Sequence, residues 1–120
     1  MRAYLIVDAV HYLFLGIWCT VDPDGTSGAI GFAFQTAAAR SEYITVYGGL
    51  EVGLGLWFAL AAWRPVWRAP AVGFAACLYG ALALFRLGTL LTIEGLGTFP
   101  WVMFAIEVPM ALLAVWLLRR

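Results

Sequence analysis

The chain alternates between long apolar runs and short polar breaks, and the runs repeat four times. The first goes from about Ala3 to Val21 and stops at "DPDG", where Pro23 and Gly25 predict a turn. The second goes from about Ile44 to Trp63 and ends before "RPVWRAP", which reads as a short connection punctuated by Arg and Pro. The third covers about Ala71 to Thr92, and the fourth about Phe99 to Leu118, with Pro100 suited to a first helical turn. A transmembrane helix needs about 20 mostly apolar residues to cross a hydrocarbon core of about 30 Å. Each run meets that length, so the pattern predicts an all-α chain: a four-helix transmembrane bundle in one domain, residues 1–120, with no soluble part left over.

Residues 22–43 are too short and too broken by Gly to cross again, and predict an extracytoplasmic interfacial segment leading into the second helix. Gln35 or Thr36 is placed to cap that lead-in. Tyr43 and Tyr47 would sit at the headgroups, as would Trp63, Trp67 and Trp101 at other span ends.

Composition agrees with the pattern. The chain is 64% hydrophobic and 12% charged, with a mean hydropathy of +0.92, far from what a water-soluble domain of this size can use. Net charge is zero and lysine is absent, which removes any case for a nucleic-acid partner. The first apolar run carries Asp8 and His11, so it does not read as a cleavable signal peptide. Arg2, Arg64, Arg68, Arg119 and Arg120 fall on one side of a four-span topology and only Arg40 on the other. The bias of positive loops toward the cytoplasm therefore predicts that both termini lie there. Cys19 and Cys77 would face opposite sides, too far apart to pair.

Depth gives the ionisable residues their meaning. At 1.5 Å per residue, His11 lies near the middle of its span, and Asp8 about 5 Å nearer the cytoplasm. By the same measure Glu51 lies about 4 Å outside the midplane, Arg86 about 7 Å and Glu107 about 2 Å. A charge at that depth costs at least ~2.5 kcal/mol, so these residues are expected to turn inward. The guanidinium of Arg86, with five donors, could serve both Glu51 and Glu107. Charge balance would then need a proton on His11 or on one glutamate.

Tyr4, Asp8, His11 and Leu15 share a face of the first span. Gly48, Glu51 and Gly55 share one on the second, with Gly49 and Gly53 a GxxxG pair beside it. Tyr79, Ala83 and Arg86 share a face of the third span, and Met103, Glu107, Met110 and Ala111 one of the fourth, which Pro109 should bend. The glycine run lacks the strand and the GK[ST] of a phosphate loop. One His and two separated Cys make no metal site, and no cofactor is indicated. Ser27 and Ser41, in the loop, build no nucleophilic triad.

Two readings of the polar set stand beside a third, a proton or ion path in an oligomer. In one, Glu51, Arg86, Glu107, Tyr47, His11, Asp8 and Tyr79 bind a small hydrophobic or amphipathic molecule. Glu51, Glu107 and His11 would be the acid–base groups if it is also converted. In the other, the ion cluster only fixes helix register in a structural or accessory subunit. The bilayer is a partner in both. A second copy of the chain or another membrane protein is a further one.

The stretch "ARSEYITVYGGLEVGLGLWFALAAWRPVWR", Ala39 to Arg68, resembles the DUF4345 family of small four-span bacterial membrane proteins. Arg40, Glu42, Tyr47, Gly48, Gly49, Glu51, Gly53 and Gly55 carry the resemblance, followed by Trp63, Arg64 and Pro65. Asp22 and Pro23, Arg86 and Glu107 extend it over nearly the whole chain. The resemblance implies a DoxX-like architecture in the bacterial cytoplasmic membrane and names no reaction.

Overall fold

The computed structural model describes residues 1–120 and is helical almost throughout. In chain order the elements are α1 (Arg2–Val21), α2 (Pro23–Ala29), α3 (Ala37–Tyr43), a π-helical segment (Ile44–Leu50), α4 (Glu51–Trp63), α5 (Pro65–Thr92) and α6 (Thr98–Leu118). The all-α class expected from the sequence is found. Four helical stretches are long and apolar enough to cross a membrane: Arg2–Val21, Ala37–Trp63, Pro65–Thr92 and Thr98–Leu118. This is the make-up of a multi-pass membrane protein. Large apolar side chains such as Val21, Phe85 and Leu91 stand more than three-quarters exposed, as lipid-facing positions do.

The chain forms two compact units, Arg2–Pro65 and Val66–Arg120 with Met1. In the first, α1 and α4 run antiparallel. Arg2 lies 5.7 Å from the ring of Trp63, and Tyr12 stacks on Phe58 at 5.7 Å. A Cβ on Gly55 would stand 2.8 Å from the Leu13 nitrogen, and one on Gly16 2.8 Å from the Gly48 oxygen. Backbones meet that closely only where the side chain is a hydrogen, which lets Cα–H groups face carbonyl oxygens in a setting with no hydrophobic drive between helices. The packing glycines are therefore Gly16, Gly48 and Gly55. Gly49 and Gly53 face open space, so the GxxxG pair makes no contact within the unit.

Two expectations about the breaks are corrected. "DPDG" is no turn but the start of α2. Asp22 caps it, its Oδ1 accepting from Gly25 N at 3.0 Å, and Pro23 takes the first helical position. A cap followed by proline is a helix start, because the missing N–H of proline would have had no partner there anyway. Likewise "RPVWRAP" is mostly helix. Only Arg64 is extended, as residues before proline are, and α5 begins at Pro65 rather than near Ala71. The capping expectation for the lead-in resolves to Thr36, whose hydroxyl accepts from Ala39 N at 3.1 Å. Tyr43, expected at the headgroups, is buried.

In the second unit, α5 and α6 are joined at Gly95, which takes a φ of 73° that favours glycine. The buried positions of α5 are Ala71, Val72, Ala75 and Tyr79, one stripe at helical spacing. Those of α6 are Glu107 and Ala114.

Candidate functional site

Of the two carboxylates that the sequence offers to Arg86 on α5, Glu107 on α6 is paired with it. Arg86 Nε donates to Glu107 Oε2 and Nη2 to Oε1, both at 2.7 Å. The planar guanidinium matches the carboxylate edge to edge, the strongest form of such a pair. Glu107 is nearly enclosed, with 7% of its side chain exposed against 24% for Arg86. Burial in an apolar segment lowers the screening that weakens surface ion pairs. Tyr79 is buried on α5 about two turns before Arg86.

Glu51 opens α4 in the other unit, directly after the π segment. It is half-buried, and its Oε2 is out of contact with solvent and has no hydrogen-bond partner. A buried polar atom left without a partner costs about 1–3 kcal/mol. Its neighbours Gly48 and Gly55 are the glycines that press against α1. The carboxylate thus sits beside the closest helix approach in the unit rather than out on a free face.

Of the remaining sequence candidates, Asp8 and His11 stand on α1, and Tyr47 is one turn before Glu51. Asp8 is fully buried on α1, and the Tyr4 hydroxyl hydrogen-bonds it one turn away. His11 is half-buried and meets the Tyr12 ring edge-on at 5.3 Å. The buried stripe of α1 runs through Tyr4, Asp8, Tyr12 and Gly16, so His11 and Leu15 flank it. Because Gly55 lies against Leu13 and Gly48 against Thr20, the antiparallel register puts His11 and Glu51 about 9 Å apart along the axis. They are not brought together. Tyr47 stacks on Tyr43 at 4.6 Å. No group of three His, Cys, Asp or Glu side chains is close enough to hold a metal ion. Cys19 and Cys77 are free thiols.

Sequence reasoning missed a polar and aromatic cluster at the far end of α1. The Tyr43 hydroxyl donates to Thr26 Oγ1 at 3.2 Å and also lies 3.7 Å from Cys19 Sγ. Thr26 Oγ1 in turn donates to the Asp22 carbonyl at 2.7 Å. Phe32 meets Tyr43 and Tyr47 edge-on at 6.5 and 6.2 Å, and Phe34 meets Tyr43 at 5.2 Å. These contacts clip α2 and the following loop onto the helix pair. The signal was present only as "DP" and a scatter of aromatics, neither of which names a partner.

No curated protein and no solved structure matches the chain. The model of a family described as a domain of unknown function matches residues 1–118. A match over all but the last two residues settles the assignment: the chain belongs to the DUF4345 family.

Proposed function

We propose that the protein binds the polar end of a small hydrophobic or amphipathic molecule at membrane depth, with Glu51 as the group that meets it. The observation that carries this reading is the buried Oε2 of Glu51, which has no hydrogen-bond partner in an apolar helix. The polar end of a bound molecule would give that oxygen the partner the helix does not supply. Tyr47, one turn before Glu51, would add a further polar contact, and Arg86 with Glu107 would be a fixed charge pair within their own unit. If the molecule is converted as well as held, Glu51 is the acid–base candidate.

The setting proposed with it is the bacterial cytoplasmic membrane, with both termini on the cytoplasmic side, as the arginine distribution favours. The test is native mass spectrometry of gently extracted protein. Glu51→Gln and Glu107→Gln should each reduce an adduct carried by the wild type. Identical adducts in all three would sink the reading.

A second reading is favoured by a different observation. The Arg86–Glu107 pair satisfies itself in both prongs, so it can act as a register device with no ligand at all. In that case the protein is a structural or accessory membrane subunit. Replacing Glu51, Arg86 and Glu107 together by apolar residues of similar volume should then leave a folded protein that still binds its membrane partner.

A further inference from the structure

Between Tyr43 and Glu51 the chain holds one residue more than an α-helix can use. Tyr43 is directed at the last turn of α1, where Cys19 lies, and at Thr26. Gly48 lies against Thr20 of that same turn. Five residues at 100° each end about 140° beyond a full turn, so an unbroken α-helix cannot turn both toward one neighbour. From Gly48 onward the difficulty disappears. Gly48, Val52 and Gly55 follow ordinary α spacing, and all three meet α1 at Thr20, Gly16 and Leu13.

The mismatch is therefore confined to the stretch where the helix is π rather than α, Ile44–Leu50. Its i→i+5 bonding takes up one extra residue. Glu51, eight residues after Tyr43, would stand about 80° off the direction of Tyr43 in a continuous α-helix. With one residue absorbed it lies two turns on, within about 20°.

We propose that the π segment is a built-in one-residue insertion through which the Tyr43–Thr26 clip sets the direction of Glu51, making Tyr43 and Thr26 positioning residues for that carboxylate. The inference rests on Glu51 as the binding group proposed above. An all-α form of the same sequence would have to release Tyr43 from α1 and Thr26 or turn Glu51 by about 100°. The clip forbids the first and the glycine contacts of α4 forbid the second. The loop end and the membrane carboxylate are one mechanical unit.

The test compares two single deletions at lipid-exposed positions, Val46 inside the π segment and Leu56 in α4. Two readouts apply to the full chain in detergent: the Tm loss caused by Tyr43→Phe, and the labelling of Glu51 by dicyclohexylcarbodiimide, read by mass spectrometry. Deleting Val46 converts π to α with both faces preserved. That variant should fold, still lose Tm on Tyr43→Phe, and still label at Glu51. Deleting Leu56, which turns the buried Phe58, Ala61 and Ala62 by about 100°, should unfold the chain or lower its Tm far more than deleting Val46 does. In the undeleted chain, Tyr43→Phe and Thr26→Val should each change the rate of Glu51 labelling, while the exposed Thr45→Val should not. The proposal is overturned if the Val46 deletion unfolds or behaves as the Leu56 deletion does, or if Tyr43→Phe leaves Glu51 labelling unchanged. Neither readout needs a ligand, so these results stand apart from the adducts that judge the binding reading.

Discussion

Arg86 and Glu107 face each other prong to prong, two hydrogen bonds of 2.7 Å closing one planar ring of contacts between α5 and α6. The pair ties those two helices together within mostly apolar segments, and Glu107 keeps only 7% of its side chain exposed. Its value depends on completeness, since each partner is tolerable there only because the other is present.

Removing one partner should therefore be far worse than removing both. Glu107→Ala or Arg86→Ala alone is expected to cost about 3–5 kcal/mol, the range for an orphaned buried charge. The double replacement Arg86→Met with Glu107→Leu should recover most of that loss. Reversible unfolding of the three variants in mixed micelles reads the difference directly.

The glycine contacts make an equally sharp contrast. A Cβ on Gly16 or Gly55 would stand about as close to backbone as atoms never do, 2.8 Å from the nearest nitrogen in each case. Gly16→Ala or Gly55→Ala should lower stability by about 1–3 kcal/mol, as overpacked sites do. Gly49→Ala and Gly53→Ala meet nothing within 4 Å and should be neutral or slightly stabilising, because alanine favours the helix. Thermal melts of the four variants separate the two classes.

At the loop end, Tyr43→Phe removes the bond to Thr26 while keeping the ring among Phe32, Phe34 and Tyr47. The expected loss is about 1 kcal/mol, the usual net worth of one hydrogen bond. The exposed pair of Arg40 and Asp24, 3.0 Å apart, should contribute no more than about 1 kcal/mol and fade with salt. Melting Tyr43→Phe and Asp24→Asn at low and high ionic strength distinguishes the two contributions.

Run length made the four crossings legible in the sequence, because a bilayer demands a minimum apolar length and that demand is local. Pro23 and Pro65, by contrast, read as breaks but begin helices. The Arg86–Glu107 pair was legible for a related reason. Charges at that depth must find each other, and few candidates exist. The face of α1 was read less well. Period alone could not choose between His11 and Tyr12, which are neighbours on the helix surface. The choice was made by Phe58, which stacks on Tyr12. The π segment was invisible for a deeper reason. It arises from a conflict between Tyr43, held by Thr26 and Cys19, and Gly48, held by Thr20, and no window of sequence contains all of these partners at once. Gly49 and Gly53 show the opposite error, a spacing that fits a packing motif on a face with no neighbour in its unit.

The central claim is that Glu51 is kept for what it meets and not for what it holds together, and the unfolding free energy of Glu51→Leu tests it most directly. Filling the site of an unpartnered buried carboxylate with an apolar side chain should leave the protein as stable as the wild type, or more so by about 1–3 kcal/mol. A loss of about 2 kcal/mol or more, the mark of a group that anchors the fold, would contradict the account.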